Sequence, residues 1–184
     1  MKMKKLVATL IVFLMVFAVT AQAEEANENV FTFRNGVTFN MDMPAVMETE
    51  SGHAEIDNED TRGGIEFTKA EYEDVTENGV KADLEYLFIG NCLIAVRVSY
   101  DEGRMNYDSL MRDLTSKYGE AAAVDTAVLG NGIYVLDDDG RLKPDTMAFT
   151  SGDLMVIVEL EKDDDGDEIA ITYLDMTAAY ITVK

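Results

Sequence analysis

Hydrophobic and polar positions divide this chain into segments of different period. From Val80 to Ile89 the alternation is clear. Val80, Ala82, Leu84, Tyr86 and Phe88 fall on one side, with Lys81, Asp83 and Glu85 between them, the signature of a half-buried strand. Gly90-Asn91 is a hairpin turn dipeptide, and Cys92 to Tyr100 is the return strand, with Ile94, Val96 and Val98 apolar. Between Tyr107 and Tyr118 the period changes to that of a helix. Tyr107, Leu110, Met111, Leu114 and Tyr118 form one stripe, with Asn106 as cap, Lys117 in the last turn and Gly119 as terminator. From Leu154 to Leu160 both sets of alternate positions are apolar, which places that strand in the middle of a sheet.

Weaker patterns fill the intervals. Val30 to Phe33 suits a strand and Asn35-Gly36 a turn. A short helix is expected after Asp42, with Pro44 in its first turn and Gly52 at its end. Gly52 to Gly64 is mostly polar and is expected to be a loop. Ile65 to Val75 is expected as a strand, with Glu77-Asn78-Gly79 turning into the next one. Later strands are expected at Gly132–Leu136, Thr146–Thr150, Ile169–Met176 and Thr177–Lys184. Asp137-Asp138-Asp139-Gly140 and the Asp163–Asp167 segment supply turns. The order is strand, helix, three strands, helix, four or five strands. It predicts an α+β fold of two layers, built from two tandem helix-then-antiparallel-meander units with the helices on one face of the sheet. Residues 30–184 would form one domain, with sub-repeats at 30–100 and 106–184.

The first 23 residues stand apart from that domain. Lys2, Lys4 and Lys5 precede an apolar run from Leu6 to Val19, and Ala21 and Ala23 frame a cleavage point before Glu24. This is the secretory signal pattern, and the apolar run is shorter than the roughly 20 residues that span a bilayer. Residues 24–29 are expected to be a flexible leader. Cleavage near Ala23-Glu24 leaves about 160 residues, enough for one domain with a core. The expected location is outside the cytoplasm. Lipid attachment needs a cysteine at the cleavage point, and Cys92 lies far downstream. Membrane contact is therefore expected only through the signal peptide.

Charge narrows the partners. The chain holds 15 Lys+Arg against 36 Asp+Glu, a formal charge of −21, and loss of the signal peptide removes lysines only. A polyanion such as nucleic acid needs a basic footprint, which is lacking. An acidic field steers basic proteins or peptides and divalent cations. Cys92 is expected to be a small buried hydrophobe in an apolar strand, since one cysteine makes no internal disulfide.

Candidate chemistry is sparse. His53, the single histidine, sits in a polar segment beside Gly52 without a nucleophile motif, and His53 with Cys92 falls short of a zinc ligand set. Asp163, Asp165 and Asp167 are weak calcium candidates, because carboxylates at hairpin tips hold hard cations. Position 12 of an EF-hand alignment would be Thr172 instead of Glu, so that motif fails. Met47 and Met111 are expected to fill the core. Met41 and Met43 are expected to be more exposed, and Tyr134, Tyr173 and Tyr180 would line a sheet face. Met41, Met43, Tyr134 and Tyr173 are thus the candidate partner-binding residues. No cofactor and no catalytic residue is expected.

The segment Phe33-Arg34-Asn35-Gly36-Val37-Thr38, the helix region holding Met41 and Val46, and the run from Tyr107 through Leu110, Leu114, Lys117 and Tyr118 to Gly119-Glu120 together resemble uncharacterised secreted proteins of Gram-positive bacteria. More remotely, they resemble the helix-meander repeats of β-lactamase inhibitor proteins and of small outer-membrane assembly lipoproteins. Ala121 stands where such repeats often carry proline, and the inhibitors' disulfides and the lipoproteins' terminal cysteine are lacking. The resemblance implies the fold and a general role in binding proteins or envelope components. It implies no target. The expected function is an exported, non-catalytic binding or inhibitor-like protein, presenting one sheet face and its hairpin tips to a partner with a basic surface. A small carboxylate-based hydrolase and a calcium-dependent cell-surface structural protein are the alternatives. An exposed strand face would also serve a homodimer.

Overall fold

Residues 31–60, 66–101, 103–123, 146–163 and 166–177 are described by the computed structural model. Two helices, α1 (Met43–Thr49) and α2 (Tyr107–Tyr118), accompany eight strands. These are β1 (Glu55–Asp60), β2 (Glu66–Glu77), β3 (Val80–Ile89), β4 (Cys92–Tyr100), β5 (Ala122–Ala123), β6 (Met147–Ser151), β7 (Leu154–Asp163) and β8 (Gly166–Asp175). All pair antiparallel in one sheet, in the order β1-β2-β3-β4-β8-β7-β6-β5. The fold is mixed α+β and dominated by its sheet. The described residues fall within one compact unit, Phe31–Lys184, and none of the described helices is long and apolar enough to cross a membrane.

Turn chemistry sets the hairpin registers. Asn78-Gly79 and Gly90-Asn91 join β2 to β3 and β3 to β4, and all four residues have positive φ. A two-residue turn of that hand matches the twist of the flanking strands, which is why Asn and Gly occupy it. Two bulges interrupt the pairing, one between Tyr72 and Val75 and one between Leu87 and Phe88. At the first, Asp74 has φ 55°, and its N–H donates to Asp83 Oδ1 at 2.7 Å.

Both helices end as local chemistry requires. Asp42 Oδ1 accepts from Ala45 N at 2.9 Å with Pro44 in the first turn, and Asn106 Oδ1 accepts from Ser109 N at 2.9 Å. Gly119, at φ 89°, stops α2, and its N–H reaches Thr115 O. The α2 stripe of Tyr107, Leu110, Met111, Leu114 and Tyr118 joins the larger core cluster with Val46 of α1. That cluster lies on one sheet face, with Ala70, Tyr86, Val96, Phe149, Val158 and Ile171. A second cluster occupies the opposite face: Phe67, Leu87, Ile94, Ala95, Ala148, Met155, Ile157 and Leu174. It contains no residue of either helix. β7 is buried on both faces, as its doubly apolar pattern implies, and so is β4 from Leu93 to Val96.

Several expectations are corrected. The polar segment after Gly52 is strand β1 where a loop was expected. It lies at the sheet's margin, where nothing selects for apolar alternation. α1 stops at Thr49, short of Gly52, with Glu50 as its cap. Phe31 and Phe33 belong to no strand. They flank a single bridge, Thr32 to Thr38, around a 3-10 turn at Arg34–Gly36. Cys92 is exposed, because it opens β4 at the hairpin turn before the strand enters the core. Met41 and Met43 pack against the larger cluster, whereas Met47 is 38% exposed. In so short a helix Met43 and Val46, three residues apart, define the buried side, and Met47 lies past its edge. The strands expected at Gly132–Leu136 and over 178–184 lie outside the described residues.

Candidate functional site

Three polar features arise from this framework. The first lies beneath α1. Glu50 is buried at the helix end, where Tyr86 Oη donates to its Oε1. Asn35 Nδ2 donates to Oε2 at 3.1 Å, and Arg34 Nε lies 3.5 Å from the same oxygen. The Arg34 guanidinium also donates to Thr76 O at 3.2 Å and stands 3.6 Å from Glu77 Oε2. Burial pushes the Tyr86 hydroxyl far above its ordinary value, and its bond to Glu50 adds to the shift. Burial also raises the Glu77 carboxyl, opposed by Arg34 and assisted by Glu50. Glu50 accepts two hydrogen bonds, faces the Arg34 guanidinium in an ion pair, and is held as a fixed acceptor. The cluster pins α1 and the Arg34–Gly36 turn to β2 and β3.

The second feature crosses the opposite face. Arg97 on β4 donates to Glu159 on β7, spanning β8 between them. Their side chains are 11% and 3% exposed. Glu85 faces Arg97 in register on β3, and Glu71 faces Glu85 on β2, where Lys69 Nζ pairs with Glu71 at 3.1 Å. Thr172 faces Arg97 on β8. The Thr172 hydroxyl oxygen is buried without a partner among the described residues.

The third feature is exposed. β1 is the outermost described strand on its side of the sheet. Glu55, Ile56, Asp57 and Asn58 are all exposed, Ile56 to 39%. Ile56 and Met47 are the exposed large hydrophobics among the described residues. No ion pair to Glu55 or Asp57 occurs among the described residues, while Arg34, Lys69, Lys81, Arg97 and Arg104 all pair within the fold. Beside β1 opens a cleft of about 550 Å³ lined by Asn58, Glu66, Phe67, Thr68, Phe88, Gly90 and Asn91. A hydrogen bond of 2.8 Å from Thr68 Oγ1 to Asn58 Oδ1 ties β1 to β2 there.

The residues singled out in the sequence scatter. Tyr173 is half-buried on the helix-bearing face, its ring 5.0 Å from Phe31 and 5.7 Å from Phe33 by centroid. Burial raises its hydroxyl well above the ordinary tyrosine value. Met41 lies in the same cluster, its sulfur 3.2 Å from Thr38 N, and Met43 packs nearby. These three are packed within the fold instead of lining an open sheet face. Tyr134 and Asp165 lie outside the described residues, and the side chains of Asp163 and Asp167 are not described. Among the described residues no group of three or more His, Cys, Asp or Glu is placed to hold a metal ion. His53 is exposed. Glu77, whose carboxyl is raised, does not line the cleft. The sequence reading missed β1. Its signal was there as acids alternating with Ile56 and Asn58, a pattern that polarity alone assigns to a loop.

Comparison with known proteins adds no neighbour: no family model, no curated protein and no solved structure matches the chain.

Proposed function

We propose that this chain is exported and works outside the cytoplasm as a non-catalytic binding or inhibitor-like module, engaging a protein or envelope component with a basic surface. The observation that carries the reading is the β1 margin: exposed acids that form no ion pair among the described residues, beside an exposed isoleucine and a cleft. An uncompensated acidic surface accelerates encounter with a basic one, and apolar contact then sets the lifetime. The element order supports two tandem units, α1 with β1–β4 and α2 with β5–β8, meeting where β4 pairs β8. This is the arrangement implied by the resemblance to inhibitor proteins with helix-meander repeats. Central strands buried on both faces shift the contact surface from a sheet face to the sheet's margin and hairpin tips.

Affinity capture tests it. The purified protein would be immobilised, exposed to envelope and culture-fluid proteins, and washed at low and then high salt. A stoichiometric, salt-sensitive partner, lost when Glu55 and Asp57 are both changed to lysine, is expected. An empty eluate from folded bait, or a partner indifferent to that charge reversal, would sink the reading.

A further inference from the structure

The geometry points to strand addition at β1: we infer that the partner's contacting segment is an extended, basic stretch of polypeptide that pairs its main chain with β1 as an additional strand. This rests on the binding reading above and specifies its partner. An outermost strand presents unpaired N–H and C=O groups along its free side, a template for another chain. Natural sheets blunt such margins with bulges, proline, very short strands or charge. β1 is six residues long, contains no proline, and pairs with β2 without a register shift. The opposite margin, β5, has two residues. Among the described residues charge is thus the feature that guards β1, and it discriminates. A second copy would bring Glu55 and Asp57 against their own kind, with Glu59 and Asp60 extending the acidic run. A basic strand would meet attraction instead.

The alternation defines the incoming sequence. Ile56 faces Ala70 and Asn58 faces Thr68 on one side of the sheet, while Glu55 faces Glu71 and Asp57 faces Lys69 on the other. Side chains of paired strands sit opposite one another on each face. The complement thus alternates Lys or Arg, set against Glu55 and Asp57, with apolar residues set against Ile56. The cleft at the Asn58 and Thr68 end, lined in part by Phe67 and Phe88, offers room for one further side chain.

The test is an NMR titration of the isotope-labelled protein with a capped peptide of alternating lysine and valine. Three comparators share its length: one with glutamate for lysine, and a pair N-methylated on one or the other backbone edge. Expected are amide shifts confined to β1, β2 and the cleft, and no binding of the glutamate peptide. Methylation should be harmful on one edge only. Changing Glu55 and Asp57 together to lysine should weaken binding roughly tenfold, with far-UV circular dichroism unchanged. Shifts spread over other acidic surfaces, or equal binding of both methylated peptides, would show charge attraction without strand pairing and overturn the inference. Peptide failure at β1, with a captured partner still sensitive to the charge reversal, sinks strand addition and leaves the binding reading standing. A partner indifferent to the reversal sinks both.

Discussion

Replacing Arg97 by methionine should be among the most damaging single changes on the face opposite the helices. The side chain of Glu159 is 3% exposed, and the Arg97 guanidinium meets it in an ion pair. Methionine preserves the length of the apolar stem and deletes the charge. Removing one partner of a buried pair costs about 3–5 kcal/mol, because the remaining charge stays desolvated. Here Glu85 also faces Arg97 across the strand pair, so two carboxylates lose the same neighbour. Glu159→Leu should cost less, since Arg97 keeps Glu85 opposite. The double variant should be more stable than Arg97→Met alone, because the buried Glu159 carboxylate is then gone along with its Arg97 partner. Urea denaturation with linear extrapolation gives each free energy, and the double-mutant cycle gives the coupling. A loss of the expected size is a large part of the roughly 5–15 kcal/mol that holds a domain folded. An Arg97→Met cost below about 1 kcal/mol, or strict additivity of the two changes, would refute the buried-pair argument.

Other outcomes follow from single observations. Tyr86→Phe should cost about 1–3 kcal/mol in the same assay by removing one donor from the buried Glu50 carboxylate; a neutral effect would mean Asn35 and Arg34 suffice. Glu77 holds its proton more tightly folded than unfolded, so its contribution to stability is complete below its ordinary value of 4.5 and is lost as pH rises through the raised folded value. The stability of the protein relative to Glu77→Gln should therefore fall across that window, and a difference independent of pH would contradict the burial of this carboxyl. The Cys92 thiol is exposed and should react with a disulfide-exchange reagent in the native state as fast as in urea; strong native protection would place it in the core after all.

Legibility differed among elements for physical reasons. α2 was readable in full because its stripe spans three turns and both ends carry caps, so every level of signal agrees. The β3–β4 hairpin was readable because one face is buried and Gly90-Asn91 has the required backbone hand. β1 was not, because a strand exposed on both faces needs no apolar period. The pairing of β4 with β8 was not readable either, since residues so far apart in sequence leave no local trace. For the same reason the clusters around Glu50 and Arg97 were invisible. Each gathers residues from three or more elements, and in the sequence they are lost among many other acids. Met111 packs on the core as its spacing implies, whereas Met41, Met43 and Met47 depart from expectation. Spacing shows which residues share a helix side but not where a seven-residue helix settles on the sheet.

The seam between β4 and β8 has a consequence for how the molecule is made. A chain emerging N-terminus first can close the β2–β3–β4 hairpins early, since each uses neighbours in sequence. The far side of β4 then waits for β8, which follows α2 and three further strands in chain order. Through that interval Ala95, Val96 and Val98 border an open edge, the kind of surface on which nascent chains stick to one another. Two strands buried in the finished protein are thus joined late. Successful biogenesis depends on shielding an early strand until its late mate appears.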